Sequence, residues 1–146
     1  MIRNIVFADD DLDDQLYFRE IFQEISKKIQ VVFVRDGIQL TRLLRNFLPD
    51  ILFLDLDIPY KNGLQCLLEL RNDASLRNLP VVIFSSTMRP ANIQTAYEMG
   101  AHLFLHKSSR YFEYSDCLKK IIAMDWDHPD KIREQYCNDD VYHSFN

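Results

Sequence analysis

Asp9, Asp10 and Asp11 stand at the end of the first apolar run of the chain; Asp55 and Asp57 close another, Ser85, Ser86 and Thr87 a third, and Lys107 with Ser108 a fourth. Carboxylates, hydroxyls and a lysine, each placed where an apolar run stops, are groups that handle a hard cation and a phosphoryl group. Two carboxylates about 4 Å apart repel by about 4 kcal/mol at an effective dielectric near 20. A fold that gathers Asp9, Asp10 and Asp55 would therefore tolerate the cluster best with a cation inside it. All-oxygen ligation by a few carboxylates, a carbonyl and waters suits Mg²⁺, which commonly shares its site with a phosphate. Lys107 would supply positive charge and Ser85 a hydroxyl to phosphoryl oxygens, and an aspartate can accept a phosphoryl group covalently. Singly, each has a plainer reading: Lys107 as a rim charge, Ser85 as a turn residue, Asp13 and Asp14 as carboxylates at the positive end of a helix. Jointly, at four such exits, the chemical reading is the stronger one.

The elements that must bring these residues together alternate along the chain. Near-continuous apolar runs at Ile2 to Ala8, Gln30 to Val34, Asp50 to Leu54, Pro80 to Phe84 and His102 to His106 read as strands buried on both faces, hence parallel. Between them, apolar residues recur at helical spacing: Phe18, Ile21, Phe22 and Ile25; Leu40, Leu43, Leu44 and Phe47; Leu64, Leu67 and Leu68; Ile93, Ala96 and Tyr97; Leu118, Ile121 and Ile122. Asp36 and Asn62 are placed to cap the second and third helices, Pro90 to start the fourth and Gly100 to end it. The expected fold class is α/β, a doubly wound five-stranded parallel sheet with helices on both faces. Such sheets bind ligands outside the carboxyl ends of their strands, where strand order reverses.

With 146 residues, 47% hydrophobic and 27% charged, the chain is one domain's worth with an ordinary core. A net charge of −5 without a basic run gives nucleic acid little to bind. The longest apolar runs, such as Ile51 to Leu54, fall far short of the roughly 20 residues of a bilayer span, and no secretory signal pattern opens the chain. A cytoplasmic location is expected. Cys66, Cys117 and Cys137 are widely spaced and read as packing residues. The units tile residues 1–124; residues 125–146 form an acidic tail with two basic and six acidic residues. Pro129 could open a short helix there, with Ile132 and Tyr136 on one face. Trp126, Tyr136, Tyr142 and Phe145 could pack back, join a dimer contact or stay loose.

The strings IVFADDD, PDILFLDLDIPYKNG, PVVIFSS and GAHLFLHK resemble, in order and spacing, the signature segments of response-regulator receiver domains of two-component signalling. The resemblance covers residues 2 to about 124 and implies a flavodoxin-like fold with strand order 2-1-3-4-5. It implies that Asp55 is the phosphoacceptor and that Asp9 and Asp10 hold Mg²⁺, Asp10 directly and Asp9 largely through water. Asp57 would contribute its backbone carbonyl to the metal. Ser85 matches the switch hydroxyl, Lys107 the lysine that pairs with the phosphoryl group, and Phe104 the aromatic that rotates inward on activation. Two positions depart from the pattern: Ser108 stands where proline usually follows the lysine in a cis peptide, and Phe104 replaces a more polar tyrosine.

The function expected is that of a single-domain response regulator, a phosphoacceptor that assists its own phosphorylation and dephosphorylation rather than a turnover enzyme. Its partners would be a sensor histidine kinase and either a histidine phosphotransfer protein or a downstream effector, with a homodimer also open. A phosphorylation-independent interaction module is the alternative. A haloacid-dehalogenase-type phosphohydrolase shares the Asp55-Leu-Asp57 spacing, but there the acid pair comes last and a cap domain encloses the substrate.

Overall fold

The computed structural model describes residues 1–87, 89–107, 110–139 and 141–146. Five strands, β1 (Asn4–Ala8), β2 (Gln30–Val34), β3 (Ile51–Asp55), β4 (Val81–Ser85) and β5 (Leu103–His106), form one parallel sheet in the order 2-1-3-4-5. Between them run α1 (Leu12–Ile25), α2 (Gly37–Leu44), α3 (Gly63–Asn72) and α4 (Pro90–Glu98), and α5 (Tyr111–Ile122) follows β5. This is the doubly wound sheet that the alternating pattern implies, in the flavodoxin-like strand order that the resemblance implies.

Period-two alternation divides the core between the two faces. Val6, Ala8, Leu52, Leu54, Ile83 and Phe104 belong to one cluster with residues of α2, α3 and α4, among them Leu40, Leu67 and Ala96. Ile5, Phe7, Phe53, Val82, Phe84 and Leu105 belong to the other with residues of α1 and α5, among them Phe18, Ile21 and Leu118. Pairing Phe7 with Phe53 and Leu54 with Ile83 aligns the carboxyl ends of β1, β3 and β4.

The helix starts are fixed locally. Asp36 accepts the Gln39 amide at 2.8 Å, and Asn62 forms a reciprocal capping box with Gln65. Pro90 occupies the first turn of α4, and Gly100 closes that unit at φ +100°, a conformation that glycine adopts without strain. Two apolar residues depart from the core pattern. Leu68 is exposed because α3 turns Cys66, Leu67 and Leu70 inward, while α2 stops at Leu44 and leaves Phe47 half-buried beyond it.

After α5 the chain packs back on the sheet. Helix α6 (Pro129–Tyr136) buries Ile132, and two short antiparallel strands follow, β6 (Cys137–Asn138) and β7 (Val141–Tyr142). Trp126 is buried at this junction with its indole N–H donating to the Ile121 carbonyl at 2.7 Å. The cysteines are free; Cys66 is buried, and Cys117 and Cys137 are half-buried. No helix among the described residues is long and apolar enough to cross a membrane.

Candidate functional site

The exits of β1, β3, β4 and β5 converge on one acidic recess. At the end of β1 the Asp9 amide donates to Val34, and the Asp9 carboxylate, fully buried, accepts the Asp11 amide at 3.0 Å. Asp11 in turn caps α1 by accepting the amides of Asp13 and Asp14. That turn leaves Asp10 exposed at the mouth. Asp55, the last residue of β3, is buried, and its Oδ1 accepts the Asp57 amide at 3.1 Å. Carboxylate oxygens of Asp9, Asp10 and Asp55 lie within 4.8 Å of one another.

Close packing holds Asp55 from behind. A Cβ added to Gly63, at the start of α3, would come within 2.4 Å of the Asp55 carbonyl oxygen, so only glycine lets the helix approach this backbone. The Gly63 amide donates to the Leu56 carbonyl at 2.9 Å, closing the loop that carries Asp57. The Asp57 side chain points to solvent and lies outside the three-carboxylate cluster.

Lys107 reaches into the recess from the end of β5. Its ammonium donates to Asp9 at 3.0 Å, Asp14 at 2.9 Å and Asp55 at 2.8 Å, and lies 5.0 Å from the centre of the Phe84 ring. Burial pulls this ammonium down, but the hydrogen bonds to Asp55 and Asp14 outweigh it and hold Lys107 firmly protonated. Burial pushes the Asp9 carboxyl up to about 8, against the Asp11 amide and Lys107, which favour its charge. One ammonium among several carboxylates leaves the recess short of positive charge. An all-oxygen donor set in such surroundings fits a hard divalent cation, with Asp9, Asp10 and Asp55 to hold it.

Ser85 ends β4 fully buried, its hydroxyl oxygen accepting the Thr87 amide at 3.1 Å. Phe104, two register steps back on β5 and opposite Ile83, is also fully buried and packs with the α2–α4 side of the core. The ring is enclosed by apolar side chains and carries no hydroxyl that would need a partner there. Ser108 lies outside the described residues, and with it the question of the peptide after Lys107.

The recess thus gathers Asp9, Asp10, Asp55 and Lys107, with Ser85 ending the adjoining strand and its carbonyl accepting the Lys107 amide at 2.8 Å. It adds two residues that sequence reasoning passed over. Asp14, taken for a helix-dipole carboxylate, is at the third position of α1, which turns it back over the strand ends and on to Lys107. Tyr114 of α5 has a buried hydroxyl without a hydrogen-bond partner, and burial together with the charges of Asp14, Asp9 and Asp55 raises its pKa. Extending the stripe of Leu118 and Ile121 back by one turn would have found it. His102, by contrast, is structural: its Nδ1 accepts the Val81 amide at 3.1 Å.

Comparison with known proteins agrees with this geometry. Residues 5–119 match the family described as response regulator receiver domain. The chain is 23% identical over 111 residues to the response regulator Rcp1 of Synechocystis sp., covering 71% of this chain and 76% of Rcp1. The crystal structure of Rcp1 in its Mn²⁺-bound form superposes with a TM-score of 0.78 at 21% identity, over 84% of this chain and 93% of that one. The phosphorylated cyanobacterial phytochrome response regulator RcpA superposes with a TM-score of 0.78 at 26% identity, covering 83% and 91% of the two chains. The match spans more than three-quarters of the sequence and takes in the whole five-stranded sheet and its strand-exit recess: the chain belongs to the response regulator receiver domain family.

Proposed function

We propose that the protein accepts a phosphoryl group on Asp55 from the phosphohistidine of a sensor histidine kinase in the cytoplasm. The observation that carries this is the Asp55 carboxylate, buried at the floor of the acidic recess with the Lys107 ammonium 2.8 Å away. In the transfer, a bond forms between an Asp55 carboxylate oxygen and phosphorus as the phosphorus–nitrogen bond breaks, and the departing imidazole nitrogen takes up a proton. The Asp9, Asp10 and Asp55 carboxylates and the Asp57 carbonyl would hold Mg²⁺, which would supply positive charge to the phosphoryl oxygens. Lys107 turns from Asp9 and Asp14 toward those oxygens, and the Ser85 hydroxyl, freed from the Thr87 amide, donates to one of them. Movement of Ser85 against Phe104 carries the change to the α4–β5–α5 face. There it alters affinity for a downstream effector or allows onward transfer to a histidine phosphotransfer protein.

Intact-protein mass after incubation with acetyl phosphate tests the reading. A phosphoryl adduct that requires Mg²⁺ and is missing from Asp55→Asn is expected. An equal adduct on Asp55→Asn would refute Asp55 as the acceptor.

A further inference from the structure

Strand β5 is the edge of the sheet, with β4 as its one neighbour. The backbone groups of Phe104 and His106 face away from β4, and an open row of this kind is a template for any extended chain. Here all four are taken. The Phe104 amide donates to the Tyr97 hydroxyl at 3.1 Å, and the Phe104 carbonyl accepts the Phe145 amide at 2.8 Å. The side chain of Asn146 acts as a substitute peptide, accepting the His106 amide at 2.8 Å and donating to the His106 carbonyl at 3.0 Å. Tyr97 completes the closure, because its hydroxyl donates onward to the His143 carbonyl at 2.7 Å. Residues 143–146 thus dock on β5 as an added strand would.

The place of this contact gives it consequence. The peptide unit that Asn146 grips through the His106 carbonyl is the one that leads into Lys107, whose ammonium sits 2.8 Å from Asp55. Phe145 holds the backbone of Phe104 with its own ring half-buried against the α1–α5 side of the core. The strap therefore holds, from outside the sheet, the backbone of Phe104 in β5 and the peptide unit that leads into Lys107 just beyond it.

The geometry points to residues 143–146 as a positioning strap that holds Lys107 and Phe104 ready for the phosphoryl group, so that strap docking and phosphorylation of Asp55 reinforce each other. This rests on the reading of Asp55 as phosphoacceptor. Asn146 touches no reacting atom and acts through the backbone. Because coupling between two sites is reciprocal, the factor by which the strap strengthens phosphoryl binding is the factor by which a phosphoryl group must strengthen the strap.

Beryllofluoride with Mg²⁺ serves as the phosphoryl probe, titrated calorimetrically into the full chain, a variant lacking residues 143–146, and the milder Asn146→Ala. Weaker beryllofluoride binding by about fivefold or more is expected in both variants, with Mg²⁺ affinity in the absence of beryllofluoride not reduced. Among the described residues no hydrogen bond joins the strap to the acidic recess on β1 and β3, so a general loosening of the fold would lower both affinities. In the wild type, amide exchange at His106 and Phe145 is expected to slow on beryllofluoride addition by a similar factor. Unchanged exchange and unchanged beryllofluoride affinity would overturn the strap while leaving Asp55 as acceptor. Faster exchange, or a parallel fall in Mg²⁺ affinity, would overturn it too. If the wild type neither binds beryllofluoride nor takes a phosphoryl group, the phosphoacceptor reading falls and the strap coupling with it.

Discussion

Replacing Lys107 with methionine removes the ammonium from between Asp9, Asp14 and Asp55 while keeping an apolar stem to lie over Phe84. In the wild type the three carboxylates are held at 2.8 to 3.0 Å from that nitrogen. Oxygens of Asp9 and Asp55 lie within 4.8 Å of each other, so once both are ionised, above the raised Asp9 value of about 8, their bare repulsion at an effective dielectric near 20 is about 3.5 kcal/mol. Breaking a buried ion pair by removing one partner typically costs about 3 to 5 kcal/mol. In a chelating buffer above pH 8, where Asp9 is ionised, Lys107→Met is therefore expected to unfold in urea with stability lower than wild type by about 3 kcal/mol. A cation that enters the cluster replaces the lost charge. Binding at a hundred times the dissociation constant stabilises by about 2.7 kcal/mol, and the variant, with no ammonium to share the carboxylates, should bind Mg²⁺ more tightly than wild type does. The assay is urea denaturation of both proteins with chelator and with saturating Mg²⁺. The gap between them should close to within about 1 kcal/mol on adding the cation. A gap that stays the same in both buffers would mean that Lys107 and the cation do not share these carboxylates, and the charge argument would be wrong.

Two further perturbations follow from the same geometry. His102 faces Arg71, Arg133 and Asp130, and burial, with Arg71 next, lowers its pKa to about 4 from an ordinary 6.5. The unfolded chain therefore takes up a proton as pH falls below 6.5 while the folded chain does not. Stability is fully present above 6.5 and is lost toward pH 4, by about 3 kcal/mol for this group at 1.36 kcal/mol per pH unit. In His102→Asn, which keeps an acceptor for the Val81 amide, urea midpoints should vary less across that window; an unaltered pH dependence would show that His102 is not its source. Gly63→Ala would drive a methyl to within 2.4 Å of the Asp55 carbonyl oxygen. It should lower stability by about 1 to 3 kcal/mol and slow acetyl phosphate labelling, and normal labelling would show that the close approach of α3 does not position Asp55.

The sheet was legible because parallel strands buried on both faces leave long apolar runs, and each run ends where a polar ligand site can form. Strand ends came within a residue of the observed ones at β3 and β4, the difference being that Asp55 and Ser85 still pair across the sheet as its last members. What escaped were residues with a sufficient local explanation and a distant partner. Asp14 is well accounted for by the amides and dipole of α1, and nothing in its neighbourhood along the chain announces a lysine 93 residues away. Tyr114 reads as one more member of a core stripe until its hydroxyl is found without a partner. The strap is the extreme case: Asn146 meets His106 across 40 residues through an ordinary surface amide.

Charge counting links the recess to its need for a cation. Asp9, Asp10, Asp14 and Asp55 face one lysine, and on the proposed reading the phosphoryl donor that approaches Asp55 is itself an anion. The residues alone therefore repel the group they are built to receive, most strongly where Asp9 and Asp55 are buried and solvent screens least. A site that merely bound phosphate would be lined with donors, as helix amino termini and basic side chains provide. Carboxylates in this excess make sense when positive charge arrives from solution and only then admits the phosphoryl group. On the proposed reading, cation dependence follows from the composition of the four strand exits, and Lys107 would both hold the carboxylates together and meet the phosphoryl oxygens once those carboxylates have found another partner.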